Sequence, residues 1–416
     1  MERVVITGIG AVTPLGNSFS DSWNSVKAGL SGIRTVTRVS ASHMKWKAAG
    51  ELRNFNAGNY LGYKELRRLD PFVHYAVASA IMSAEDAGLI HSDVQPPYDD
   101  YLTSGGVIIG SSRGGISTLE NAFMNMQNAA LNVQSYRLSP YLMPATTISM
   151  AASYTAQRLA IKGYCLGLSN ACASGSNAIG EAYRLLKTGF KGPLIAGGTD
   201  APLCMVCIEG YGRAGALSKT EPLFASRPFD RQRDGFVLSE GACTMVLENL
   251  DSALKRGARI YGEVIGYGNT VDAVHQTRPD LKGEIHALRS AMTDAGIKPS
   301  DIDYINAHGT STPIGDRIES ESILAAFGGK ASHIPVSGIK SMTGHMLAAS
   351  GAFEAACTVM SLREGLIPPT INIREKDSRC GINLVTEKIN LPITTALSSS
   401  FGFGGVNAVL IFRKLE

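Results

Sequence analysis

Gly175–Gly189 reads GSNAIGEAYRLLKTG and Gly351–Gly365 reads GAFEAACTVMSLREG. Each begins with glycine, carries a helical pattern, and ends in apolar residues, a basic residue and a glycine placed to stop a helix. Each also follows a strand-like run and a loop of small residues. Working outward, β-branched runs bounded by glycine recur at Val4–Ile6, Val107–Ile109, Leu194–Ala196, Thr244–Leu247, Tyr304–Ile305 and Val409–Phe412, with helical patterns between them. This alternation predicts an α/β fold with buried sheets. The echo predicts two similar halves, 1–255 and 256–416, meeting near Lys255 to Tyr261.

The bulk properties fit such a chain. Charged residues are 18% of 416, the apolar fraction is 44%, and 45 residues are glycine. A usual charged share is about 25%, so the chain is expected to bury much of itself, in a deep interior or against a second copy. The net charge of +3 is too small to argue for a nucleic-acid partner. Seven scattered cysteines and an opening strand without a charged-then-apolar leader predict reduced thiols and a cytoplasmic protein. The longest apolar helix candidate, Phe72 to Ile90, is broken by His74, Ser79, Ser83, Glu85 and Asp86. It falls short of the roughly 20 apolar residues a membrane span needs.

Four stretches carry candidate chemistry. In Leu168–Ser176 (LSNACASGS) a strand end runs into small residues and then a helix with Ile179, Ala182, Tyr183 and Leu186 on one face. Cys172 is thereby expected at a helix start, where the dipole and free N–H groups favour a thiolate. Taken alone it reads more readily as a buried structural thiol. In Tyr304–Pro313 (YINAHGTSTP) a strand delivers His308 to a loop, after which Thr312 is expected to cap a helix that starts at Pro313 and stops at Gly328–Gly329. In Ser337–His345 (SGIKSMTGH), Lys340 and His345 bracket a turn ahead of the helix holding Glu354. In Ser398–Asn407 (SSSFGFGGVN), glycines around Phe401 and Phe403 make a loop whose N–H groups can face a ligand. Each has a plainer reading: a structural histidine, a solvated lysine, a glycine-rich turn. Together they supply what forming and using a thioester requires. Gly8-Ile9-Gly10 is not a dinucleotide fingerprint, because Thr13 and Pro14 break the pattern. One CxxC, Cys204–Cys207, lacks the second pair of a zinc site.

A Cys elbow, NAHGTSTP, KSMTGH and FGFGG, in that order, resemble the β-ketoacyl-[acyl-carrier-protein] synthases of the thiolase-like condensing enzymes, and within them the synthase II group of type II fatty-acid synthesis. Val5–Asn17, Arg227–Asp230 and Arg233–Leu238 extend the likeness over essentially the whole chain. The resemblance implies a layered αβαβα thiolase-like fold of two similar halves, a homodimer, and acyl carrier protein as partner. It implies Cys172 as nucleophile, with His308, His345 and Lys340 as its catalytic partners. Oxyanion N–H groups would come from Cys172 and Phe403, and Glu354 would support Lys340. Phe403 with Phe401 would form a gate, and Thr310 and Thr312 would bind phosphopantetheine. No redox cofactor or catalytic metal is implied, but a structural Na+ or K+ near Asn306, Glu354 and Ser398 is. The basic run Lys64, Arg67, Arg68 is the expected carrier-protein patch, or else a solvated helix face. At the elbow, Ser174 stands where the family commonly has Thr, and Ser176 and Asn177 lie where it varies, which puts the shape of the acyl pocket in question. Alternatives are a synthase I-type or polyketide ketosynthase of the same fold, a non-catalytic chain-length partner subunit, and a cysteine hydrolase. Cys172 with both histidines speaks against the partner subunit. The hydrolase leaves Lys340 and the second histidine unexplained.

Overall fold

The computed structural model describes residues 2–40, 44–91, 99–132 and 135–415. Its main sheet has eleven strands: β1 (Val4–Val12), β2 (Gly106–Gly110), β3 (Tyr164–Leu168), β4 (Leu194–Asp200), β5 (Gly241–Asn249), β6 (Gly262–Val271), β7 (Tyr304–Asn306), β8 (Pro335–Ser337), β9 (Asn383–Leu384), β10 (Thr395–Gly402) and β11 (Val406–Arg413). Their order is β9-β8-β7-β10-β11-β6-β1-β5-β4-β2-β3. From the central antiparallel pair, β1 against β6 with Val4 opposite Val264, the order outward is β1-β5-β4-β2-β3 on one side. On the other it is β6-β11-β10-β7-β8, with β9 added at the edge. The same five-strand order read twice is a structural duplication, and the strands alternate with helices as the residue pattern predicts.

Three apolar cores separate the layers. One lies between the first half-sheet and helix α1 (Pro71–Asp86), built on Phe72, Val77, Ile109 and Val246. A second lies between the other half-sheet and helix α3 (Leu281–Ala295), with Leu288, Ile305, Leu397 and Ile411. Between the half-sheets, helices α2 (Ser174–Lys187) and α4 (Ala348–Glu364) share a core holding Ile6, Ile108, Ile179, Phe353 and Leu410. The result is five layers, helix–sheet–helix–sheet–helix.

Glycine sets the closest contacts. A Cβ at Gly8 or Gly10 would lie 2.1 or 2.0 Å from the carbonyl oxygens of Ser83 or Ser79 in α1, so this pair serves helix–strand packing. At the centre, a Cβ on Gly175 would meet the Ala348 carbonyl oxygen at 2.2 Å, and one on Gly351 the Ser176 hydroxyl at 2.3 Å. The two echoing segments therefore cross each other with backbones nearly touching. The longest apolar candidate forms α1 and ends at Asp86. Among the described residues no helix is long and apolar enough to cross a membrane.

Candidate active site

Cys172, His308, Lys340, His345 and Phe403 all lie just past strand ends, on turns that converge. The turn after β3 carries Cys172 into α2, with Ala171 at φ 48°. Ser174 ties that turn: its hydroxyl accepts from the Asn170 N–H (2.8 Å) and donates to the Ala171 carbonyl (2.6 Å). β7 leads to His308, β8 leads through Lys340 to His345, and the β10–β11 turn holds Phe403. β7 runs parallel to both β8 and β10, so their C-terminal ends share one edge. The cavity there, about 450 Å³, is lined by Cys172, Tyr211, His308, Thr310, Thr312, His345, Leu347, Phe401 and Phe403 among others.

The hydrogen-bond network assigns the His308 proton. Lys340 is 1% exposed. Its ammonium donates to Glu354 Oε1 (2.5 Å), to the His308 carbonyl (2.6 Å) and to His308 Nδ1 (3.2 Å). Three protons meet three acceptors, which leaves the His308 proton on Nε2. Ser350 Oγ accepts from the Met346 N–H at 2.8 Å and lies 3.2 Å from His345 Nδ1. The rings sit edge-to-face, 5.4 Å between centroids. Burial, then the Lys340 charge, pushes both imidazoles well below their ordinary value, and for His308 the neighbouring His345 adds to this. Both are neutral donors at pH 7.

The nucleophile expectation needs correction. Helix α2 begins at Ser174 with Ala173 as its cap, so Cys172 precedes the helix and does not rest as a thiolate. Burial pushes its thiol up to about 11, against the pull of the Lys340 charge and a hydrogen bond from the Phe403 N–H. The same N–H is a donor beside the sulfur, in the position an oxyanion hole requires. Thr312 also differs from expectation: the helix runs Gly315–Phe327 with no side-chain cap. Thr312 instead faces the cavity with Thr310, hydroxyl to hydroxyl at 3.0 Å, while Asp316 turns back to accept from the Ser311 N–H at 3.0 Å. Ser176 and Asn177 point into the central core, to Ser400 (2.9 Å) and Tyr267 (2.7 Å), away from the cavity.

The two phenylalanines occupy different walls. Phe401 packs edge-on to His308 at 5.9 Å, and Phe403 lies against Tyr211 at 6.3 Å beside Cys172. Lys64, Arg67 and Arg68 are exposed on the short helix Tyr63–Arg68, whose Glu65 is turned to its N-terminal cap and to Tyr154.

Sequence reasoning missed the supports. Glu319 Oε1 accepts from the His308 N–H (2.6 Å) and Oε2 from the Gly309 N–H (2.8 Å), fixing the histidine loop. Asp200 accepts from the N–H groups of Ser112, Arg113 and Ala348, pinning turns from both halves together. Both are acids on ordinary-looking strands and helices, and only their burial distinguishes them.

Comparison with known proteins shows the family and the fold. The N-terminal domain model of the β-ketoacyl synthases matches residues 1–253 and the C-terminal domain model residues 261–374. A 3-oxoacyl-[acyl-carrier-protein] synthase 2 from Synechocystis sp. is 43% identical over 420 aligned positions, covering 100% of this chain and 99% of that one. A β-ketoacyl synthase from Burkholderia phymatum superposes with a TM-score of 0.91 at 32% identity, each chain covered in full. A type II polyketide ketosynthase, solved in complex with its acyl-carrier protein and bound to a hexaketide, gives 0.89 at 30% with the same coverage. With both domain models matching most of its length and a relative 43% identical across all of it, the chain belongs to the β-ketoacyl synthase family.

Proposed function

We propose that Cys172 accepts an acyl group from an acyl carrier protein and that malonyl-carrier protein then condenses with it, lengthening the chain by two carbons with loss of CO2. The observation that carries this reading is the convergence of one thiol, two neutral imidazoles and the Phe403 N–H on a single cavity. In the first step the Cys172 sulfur attacks the thioester carbon, the N–H groups of Cys172 and Phe403 hold the oxyanion, and the carrier's thiol leaves with the cysteine's proton. In the second, His308 and His345 donate to the malonyl thioester oxygen as the carboxylate departs as CO2. The resulting enolate carbon attacks the acyl carbon and expels the Cys172 thiolate, which takes a proton from solvent. Lys340 holds His308 in the donating tautomer, and Glu354 holds Lys340. Each step balances without a redox cofactor or catalytic metal.

Thr310 and Thr312 line the approach for the phosphopantetheine arm, and exposed Lys64, Arg67 and Arg68 meet an acidic carrier. Phe403, with Phe401, gates the acyl side. A structural Na+ or K+ fits beside the site: Asn306 and Ser398 are register partners, and Asn306 Oδ1, Ser398 Oγ and Glu354 Oε2 are buried without a hydrogen-bond partner. Such an ion would neutralise buried oxygen charge there. We assign the protein to the cytoplasm, with halves 1–255 and 256–416, as a homodimer. Two features support the dimer: edge strand β3 leaves Tyr164 and Cys165 exposed, and the helix Ile116–Leu131 buries none of its residues yet exposes Phe123, Met124 and Leu131.

Intact-mass measurement after incubation with acyl-carrier protein tests the reading. A stable acyl adduct on Cys172 is expected. No adduct would indicate a non-catalytic partner subunit, and free acid a hydrolase.

A further inference from the structure

The cavity that reaches Cys172 opens at a rim where His275, Thr277, Arg278, Pro313 and Ile314 are exposed, while His308 and His345 lie buried inside it. Among the described residues that line it, Arg278 is the only lysine or arginine. Its stretch of chain is a built turn: His275 Nδ1 accepts from the N–H groups of Thr277 (3.1 Å) and Arg278 (3.2 Å). The Gln276 carbonyl accepts from the Gly404 N–H at 2.7 Å, which ties this turn to the one holding Phe403. The neighbouring acids are engaged elsewhere. Asp272 accepts from the Asn407 amide (2.6 Å) and the Asp280 N–H (3.0 Å), and Asp280 caps α3 by accepting from the N–H groups of Lys282 and Gly283 (3.0 and 3.1 Å). Among the described residues Arg278 makes no ion pair, so its guanidinium stands in water at the rim.

A hydrated cation at a rim does little for an alkyl chain or an amide, which water serves as well. It discriminates in favour of an anion, and the planar guanidinium fork suits the oxygens of a phosphate. A phosphopantetheine arm carries one anionic group, its phosphate, at the end opposite the thioester. With the thioester carbon at Cys172 inside the cavity, the phosphate is left at the outer end, where the wall's one arginine stands. We propose that Arg278 binds this phosphate, so that the cavity wall itself, and not only the surface that meets the carrier protein, distinguishes a phosphorylated arm. The inference rests on Cys172 taking its acyl group from such an arm. It makes Arg278 a substrate-binding residue beyond the two threonines.

The test uses two probes without any protein surface, octanoyl-phosphopantetheine and octanoyl-pantetheine, which differ only in the phosphate, with octanoyl-carrier protein beside them. Acylation of Cys172 is followed by intact mass in the wild type, Arg278→Met and Arg278→Lys. The wild type is expected to load the phosphorylated probe about 3- to 10-fold faster in kcat/KM at low salt, between the range of an exposed ion pair and that of a charge-assisted hydrogen bond. The preference should shrink as salt rises. Arg278→Met should bring the ratio to near one and raise KM for octanoyl-carrier protein by a similar factor, and Arg278→Lys should keep part of both. A merely structural role would slow the two probes alike and leave the ratio unchanged. A wild type indifferent to the phosphate, or an unchanged ratio in Arg278→Met, overturns the inference while leaving the nucleophile intact. Should neither probe load, an unchanged KM for octanoyl-carrier protein in Arg278→Met overturns it equally, and a raised KM that Arg278→Lys restores supports it. A wild type that forms no adduct even with octanoyl-carrier protein overturns the proposed function and this inference together.

Discussion

Replacing Lys340 by methionine removes one buried cation and all three hydrogen bonds it donates. The Lys340–Glu354 contact is 2.5 Å, with side chains 1% and 2% exposed. Breaking a pair so buried costs about 3–5 kcal/mol, mostly from the charge left behind. Glu354 has an escape, because burial already pushes its carboxyl up to about 7 against the Lys340 charge. Without the lysine it rises further and stays protonated. A carboxyl raised in the fold stabilises it at low pH and loses that contribution as pH rises. The variant keeps losing stability above the pH, about 7, at which the wild type stops. The gap should therefore widen by about 1.4 kcal/mol per pH unit above that point. Lys340→Met/Glu354→Gln removes the stranded carboxyl, so it should recover most of the stability and lose the pH dependence. It should not recover catalysis, because His308 Nδ1 still lacks its donor and the imidazole no longer has its proton fixed on Nε2. Losing one oxyanion donor costs about 10²- to 10³-fold. Urea unfolding at pH 6, 7 and 8, paired with CO2 release from malonyl-carrier protein, reads both effects. A double variant that decarboxylates at the wild-type rate refutes the role given to Lys340, and a single variant as stable as wild type at pH 8 refutes the energetics.

Cys172→Ala should abolish condensation while far-UV circular dichroism and oligomeric state stay as in the wild type; residual condensation would move the nucleophile elsewhere. His345→Ala should still form the acyl adduct, yet release CO2 from malonyl-carrier protein about 10²- to 10³-fold more slowly. Because burial lowers the imidazole of His345, the unfolded chain binds its proton first as pH falls below the ordinary value of 6.5, and stability declines there. His345→Gln should recover about 1 kcal/mol of that decline over the next pH unit, measured by urea midpoints. Charge reversal at Lys64, Arg67 and Arg68 should raise KM for the carrier protein, with the difference shrinking as salt rises.

Much of this molecule is legible before folding. The glycine-bounded apolar runs became strands because strands covered on both faces need continuous apolar residues. The echo of Gly175–Gly189 and Gly351–Gly365 became the central helix pair because only glycine admits that crossing. The motifs bring Cys172, His308 and His345 to one cavity, with Lys340 buried behind His308. What stayed hidden depends on burial and on distant partners. The resting state of Cys172 is decided by desolvation outweighing nearby positive charge, which no local spacing encodes. Glu319 and Asp200 are bound by N–H groups of loops far away in the chain. Thr312 resembled a cap, but its hydroxyl pairs with Thr310 while Asp316 bonds Ser311 instead.

The near-touching of α2 and α4 at Gly175 and Gly351 gives the duplication a mechanical meaning. One repeat carries the sulfur and the other the two imidazoles, so the molecule reads as two specialised siblings fused into a single polypeptide. Neither works alone, and the crossing where their backbones meet is the hinge pin that fixes the reach between them. Adding one methyl group at that pin would act on chemistry it never touches.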